Sequence, residues 1–295
     1  MRNLVFLNHD DVRNGGSTVA RSEQMAELSL RMFGPKKWNI SYTSDACIRN
    51  AIVIVHKGFL ERTSLGQLEA MKSANNILIA DYIDIKPIHA QMRFFDAFLA
   101  SSHAQAAWLK TNFPHIPTFH VTQRVDPRFP ALTVQMETFR AAYFGARRDP
   151  AAPFNMKFQT ELAQEVDIIP TPTDNIAWMD KLATYNCHYA VRASQPWDGF
   201  KPLGKAFIAA RYGCPIIIST VDQDAEFYLG VDYPYLLRSD NLNDVTATLA
   251  QARDDFRGPR WTLALEILKD IKNKTTDSFL MNEFKAAIDY FSTAA

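Results

Sequence analysis

Long hydrophobic runs are missing from this 295-residue chain: nowhere do about 18 apolar residues follow one another, which excludes a membrane-crossing helix. Contact with a membrane surface stays compatible with the sequence. Cysteine is scarce as well. Cys47, Cys187 and Cys214 lie far apart, form no CxxC pair and leave one thiol over under any pairing, which argues against a disulfide scaffold and a cysteine zinc site. A reducing, cytoplasmic setting is expected. Neither sign of charge is in excess, because 32 Lys and Arg balance 32 Asp and Glu. Without a global basic field, nucleic acid is not expected as a partner. No basic-then-apolar leader with a small-residue cleavage site precedes the strand-like opening "MRNLVFLNH", so no signal peptide is expected. Internal repeats, charge blocks and low-complexity stretches are also absent. His9, His89, His103, His115 and His120 fall into no H-E-x-x-H or similar metal-binding spacing.

What is present is a rhythm. Short β-branched or aromatic runs alternate with longer helical patterns, the signature of parallel α/β architecture. The first half offers "LVFLNH" (3–8), "WNISYT" (38–43), "AIVIVHK" (51–57), "NILIADY" (76–82), "AFLASS" (97–102) and "TFHVTQ" (118–123) as strands. Helical patterns at 17–32, 64–73, 86–95 and 103–112 separate most of them. The rhythm restarts with "FRAAYFG" (139–145), "VDIIP" (166–170), "CHYAVR" (187–192), "CPIIIS" (214–219) and "YPYLL" (233–237). This length exceeds what one core usually supports, so two doubly wound, Rossmann-like domains are expected, 1–125 and 126–295. The join falls in "VTQRVDPRFPALT", where two prolines break the periodicity. Residues 260–292 carry apolar positions at helical spacing, and their last helix is a candidate to return to the first domain.

Open parallel sheets bind ligands at the carboxyl ends of their strands, so the loops after strands hold the candidate sites. After the first strand, Gly15 and Gly16 precede a helix, where they free backbone amides to approach a ligand; a plain flexible turn reads equally well. The stretch "RASQPWDGFKPLGK" combines more features. A strand expected to end at Arg192 leads through a loop to Lys201, and a helix expected over Pro202–Tyr212 stops at Gly213. Arg192, Lys201, Lys205 and the helix amino end then converge on a phosphate or pyrophosphate. The alternative is solvated lysines, with Arg192 paired to Asp198. In the first half, Asp10 and Asp11, His56 and Lys57, and Asp81 and Asp84 stand at or after strand ends. His56 is expected to titrate near neutrality, as an acid–base or phosphate-contact group requires. His188, inside a strand, reads as core.

Two Rossmann-like halves, a strand ending in "VR", the "GFKPLGK" helix entrance and "GCPIII" together resemble the GT-B glycosyltransferases, especially their GT4-like group. The resemblance implies a GT-B fold with two domains facing a cleft. It implies a nucleotide-sugar donor in the second domain, its diphosphate held by Lys205 and the backbone around Gly204. A saccharide or lipid-linked acceptor would bind the first domain, with His56 and Asp84 as catalytic candidates. "QRVDPRF" is similar to the family's interdomain passage, and "AAYFGARRD" to its first donor strand and loop, with Arg147 and Arg148 as the basic residues. The resemblance also implies no catalytic metal and no cofactor beyond the donor substrate. In the position of the glutamate that often binds the donor ribose stands Ile208, and Asp198 is a loose match to the first acid of the E-x7-E pattern. A nucleotide-sugar epimerase of the same architecture and a non-catalytic sugar- or nucleotide-binding relative are the alternatives.

Overall fold

In a computed structural model of the chain, the β-branched runs form two parallel sheets, each in its own compact unit. Residues 2–12, 16–134, 137–145, 162, 164–172, 175–191 and 200–292 are described. The first unit comprises Met1–Arg124, Phe200–Pro202 and Thr276–Ala295; the second comprises Val125–Gly199 and Leu203–Thr275.

The first unit holds β1 (Arg2–Leu7), β2 (Trp38–Thr43), β3 (Ala51–His56), β4 (Ile77–Asp81), β5 (Ala97–Ala100) and β6 (Thr118–His120). They pair in the order β2-β1-β3-β4-β5-β6, with every ladder parallel. Strands covered on both faces need continuous apolar runs, and β3 is buried at all six positions. The period-two alternation of side chains splits the core between the faces. Val5, Leu7, Val53 and Val55 pack with Phe59, Leu68, Met71 and Leu109. Leu4, Phe6, Ile52 and Ile54 pack with Met25 and Leu28 on one side of the chain's history and with Leu280, Phe284 and Ile288 on the other.

The first long helical stretch begins as α1 (Gly16–Thr18), widens into a π turn over Val19–Glu23, and continues as α2 (Gln24–Phe33) to Gly34, whose φ of +76° ends it. Two short helices follow, α3 (Lys57–Leu60) and α4 (Leu65–Ser73); the second starts on a capping box in which the Gln67 amide donates to Ser64 Oγ at 3.1 Å and the Ser64 amide to Gln67 Oε1 at 2.9 Å. The helix expected over 86–95 forms only a 3-10 segment, His89–Phe94. Pro87 removes a donor and disfavours helical backbone before it, which leaves too short a run for α-helix. Ser102 caps α5 (His103–Asn112).

The second unit holds β7 (Ala141–Phe144), β8 (Val166–Ile169), β9 (Cys187–Tyr189), β10 (Ile216–Ser219) and β11 (Leu236–Leu237), all parallel, in the order β11-β10-β9-β7-β8. Its described helices are α6 (Gly204–Tyr212), α7 (Ala225–Leu229), α8 (Leu242–Asp254) and α9 (Pro259–Lys274). The strand expected over 187–192 is shorter, and α6 begins two residues after Pro202, with Leu203 at its cap. Gly213 takes the left-handed conformation that closes α6. Trp261, fully buried, anchors the core edge-on to Phe139 and Phe256.

The final helix, α10 (Asp277–Ser292), belongs to the first unit, where polar ties fix its register. Arg124 Nε and Nη2 each donate to Asp277 at 2.7 Å. The Thr122 amide donates to Glu283 Oε2 at 2.7 Å, and His120 Nδ1 lies 3.1 Å from Oε1. Burial works to raise the Glu283 carboxyl, but the bonds from His120 and Thr122 outweigh it and hold the group low.

Candidate functional site

In the first sheet β1 lies between β2 and β3, so the winding reverses there. Open α/β sheets take ligands outside the carboxyl ends of the strands at such a topological switch, here β1 and β3. Asn8 follows β1, His56 closes β3, and Asp81, in register beside His56, closes β4.

His56 is clasped rather than free. Its Nδ1 accepts the Gly58 amide at 3.2 Å and lies 3.0 Å from Asn8 Oδ1. An Nδ1 that accepts from Gly58 carries no proton, so the Asn8 amide serves it best through its nitrogen. Only glycine fits below the ring: a Cβ at Gly58 would stand 2.4 Å from Val12 Cγ2 and 2.5 Å from Asn8 Oδ1. Burial, with smaller contributions from the Lys57 and Arg21 charges, pushes the imidazole down to about 3. The expected titration near neutrality is therefore corrected: His56 is a neutral hydrogen-bonding ring at physiological pH.

Beside it lies an ion pair that sequence reading missed. Arg21 Nε donates to Asp81 Oδ2 at 2.9 Å, and Nη1 donates to the Val121 carbonyl at 2.6 Å. Both partners are buried, at 2% and 1% exposure. The π turn carries Arg21, in keeping with the habit of such turns to occur at functional sites. Burial raises the Asp81 carboxyl, opposed by Arg21. Among the described residues, His56 Nε2, Arg21 Nη2 and Asp81 Oδ1 are all buried without a hydrogen-bond partner. Three orphaned polar atoms so close together are unusual in a folded protein.

Asp84 forms an ion pair with Lys57, the residue after β3, and both are mostly covered. Between Asp81 and Asp84 the chain passes through Ile83 with φ +57°, a conformation that costs a β-branched residue about 1–3 kcal/mol. Its carbonyl accepts Ser101 Oγ at 3.1 Å, which helps to hold the strained turn. Gly16 opens α1, and a Cβ there would meet nothing within 4 Å. Gly15 lies outside the described residues.

The second sheet repeats the switch, with β7 between β8 and β9. Gly145 follows β7 and hugs the Tyr143 ring, since a Cβ there would lie 2.5 Å from its Cε1. Over the same ring, 3.6 Å from its centroid, sits the Lys205 ammonium, in the first turn of α6. Gly204 begins that helix, and Leu203 at the cap position has no side chain able to satisfy its first amides. His188, in β9, is pushed down to about 3 by burial and then by the Lys205 charge, which makes it a neutral core residue. Ile208 packs against the apolar core. Lys201 belongs with the first unit, where the Phe200 carbonyl accepts Ser102 Oγ at 2.9 Å and the Phe200 ring lies 5.8 Å from that of Trp108. Arg192, Asp198, Arg147 and Arg148 lie outside the described residues. Thus one unit gathers Asn8, Arg21, His56 and Asp81, and the other places Lys205 at a strand edge.

No protein-family model and no curated protein matches the sequence. Solved structures do match in shape. HepE of Anabaena, in complex with UDP and glucose, has a TM-score of 0.63 at 9% identity, over 99% of this chain and 100% of that one. Sucrose-phosphate synthase of Thermosynechococcus elongatus matches equally well, with the same TM-score, identity and coverage. The chain has the GT-B fold. TarM of S. aureus, in complex with fondaparinux, α-GlcNAc-glycerol and UDP, has a TM-score of 0.56 at 11% identity; the match covers 80% of this chain but only 55% of the TarM chain. At such low identity the GT-B likeness is one of fold, and the chemistry must be argued from this chain's own residues. Among the described residues, no helix is long and apolar enough to cross a membrane.

Proposed function

We propose that this GT-B chain is a glycosyltransferase that moves a hexose from a nucleotide-sugar to a saccharide or lipid-linked acceptor. The observation that carries the reading is Lys205, held by the Tyr143 ring in the first turn of α6, at the carboxyl edge where β7 and β9 part. A leaving diphosphate gains negative charge as the glycosidic bond to it breaks, while positive charge spreads over the sugar ring. Lys205, the α6 amino end and Arg192 stabilise that leaving group, a task these cations can perform without a catalytic metal. The Gly204 backbone adds donors to the same anion.

The first unit receives the acceptor. His56, neutral and oriented by Asn8 and Gly58, acts there as a hydrogen-bond partner for a sugar hydroxyl rather than as a titrating base. Asp84, restrained by Lys57, is the carboxylate available to a proton at the acceptor. The open space at Gly16 leaves the start of α1 approachable by a ligand of the first unit. Solved GT-B neighbours that hold UDP or UDP-glucose support a uridine donor for this chain as well. Free cysteines at 47, 187 and 214 agree with a cytoplasmic setting.

Titration calorimetry with UDP and UDP-glucose tests the proposal. A charged hydrogen bond to phosphate contributes about 1.5–3 kcal/mol, so Lys205→Ala should weaken UDP binding roughly ten- to a hundredfold without unfolding the protein. Unchanged affinity in both Lys205→Ala and Arg192→Ala would overturn it.

A further inference from the structure

The first unit carries a second concave surface at the opposite ends of its strands from His56. Arg2 opens β1 and Trp38 opens β2, and the two are paired in register. The end of α2, the turn that carries Lys36 and Lys37, and the last turns of α10 complete a cavity of about 630 Å³. That lies within the roughly 300–1,000 Å³ span of ligand clefts.

Its lining is one-sided in charge. Arg2, Lys36, Lys37 and Lys285 face a single carboxylate, Asp289, which is already paired to Lys285. Among the described residues, the side chains of Arg2, Lys36 and Lys37 have no acidic partner within salt-bridge distance. In a chain of zero net charge, such a cluster repels itself, and a bound anion relieves the repulsion. The remaining wall combines Met32, Ile288 and Ser292 with two aromatic rings: those of Phe33 and Trp38 lie 6.0 Å apart, and Phe33 stacks at 6.2 Å on the buried Phe284, which anchors it. Rings set among cations suit a ligand with flat apolar faces and negative substituents, as in a saccharide whose C–H faces rest on rings while its acidic groups meet lysines.

We infer that this groove binds an acidic saccharide, a uronate- or sulfate-bearing segment held at the amino ends of β1 and β2. Its assignment as a saccharide rests on the glycosyltransferase reading, as a remote hold on acceptor or product; its preference for anions rests on the groove alone. A membrane surface fits less well, because Phe33 and Trp38 are partly buried and recessed between charged side chains. Single-stranded nucleic acid fits less well too, because it binds along an extended basic track rather than in a single compact groove.

Binding of tetragalacturonate and a heparin tetrasaccharide, measured by calorimetry against neutral maltotetraose, tests the inference. The wild-type protein should bind at least one acidic tetrasaccharide, more weakly at higher salt, and bind maltotetraose at least tenfold more weakly. Lys36→Glu/Lys37→Glu should lose at least tenfold in acidic-saccharide affinity while its UDP affinity stays unchanged. Failure of both acidic probes, equal binding of the neutral one, or tighter binding of phosphatidylglycerol vesicles or oligo-deoxythymidylate would overturn it. If UDP fails to bind the wild-type protein, the glycosyltransferase reading falls while the acidic-probe result still decides this groove.

Discussion

Replacing Arg21 by methionine should be among the most costly single changes in the first unit. The substitution removes the partner of an Asp81 carboxylate that is 1% exposed, and breaking a buried pair in this way costs about 3–5 kcal/mol. It also takes the donor from the Val121 carbonyl, worth about 1 kcal/mol more, although the two losses overlap. A net loss of about 4 kcal/mol in a unit of this size lowers its melting temperature by roughly 10–15 °C at about 3 °C per kcal/mol. Differential scanning calorimetry would show the shift. Asp81, already raised by burial, should take up a proton once Arg21 is gone, so the variant's deficit should be smaller at pH 5 than at pH 8. Arg21→Met/Asp81→Leu should recover most of the stability, since apolar pairs of similar volume replace buried ion pairs at little cost. A loss below about 1 kcal/mol for the single variant, or a double variant no better than the single, would refute the reasoning.

Both His56 and His188 are held at about 3 in the folded chain, below the ordinary 6.5, so the unfolded chain takes up their protons first as pH falls. Their contribution is intact above pH 6.5 and drains away toward pH 3, and His188→Phe should flatten the acid slope of urea-unfolding stability across that window. A slope unchanged in the variant would deny His188 this part. Gly58→Ala should cost about 1–3 kcal/mol, because its methyl would press on Val12 and on the wholly buried Asn8; an unaltered melting temperature would show that the clasp around His56 can yield.

Much of the fold was legible because parallel sheets write themselves plainly. The run "WNISYT" became a strand at the same six positions, and "AIVIVHK" lost only its terminal lysine to the next helix. What failed was local backbone chemistry that periodicity cannot see. Pro87 turned an expected α-helix into a 3-10 segment, and the π turn at Val19–Glu23 left no trace in the hydrophobic pattern. The candidate site was legible by position and opaque by environment. His56 and Asp84 stand after strands, as their places in the sequence suggest, yet nothing in the sequence shows that Asn8 and Gly58 hold the ring or that Lys57 takes the carboxylate. Arg21 had one readable signal: it lies four and seven residues before the buried Met25 and Leu28, a cation in line with an apolar stripe. Tyr143, which holds Lys205, looked like an ordinary strand aromatic.

The first unit is not finished when its six strands have been made. One face of its sheet, including Leu4, Phe6, Ile52 and Ile54, is covered by Leu280, Phe284 and Ile288 of α10, and those residues are translated only after the whole second unit. At ribosomal speeds of about 5–20 residues per second, the interval between β6 and α10 is on the order of 10–30 s. The second unit can close around its own core in that time, while the nascent first unit waits with an oily face uncovered. A synthesis arrest or nonsense codon just after α9, before α10, would therefore release a chain with one complete half and one half prone to capture by chaperones. A peptide spanning α10, supplied in trans, is the natural reagent for rescuing such a fragment.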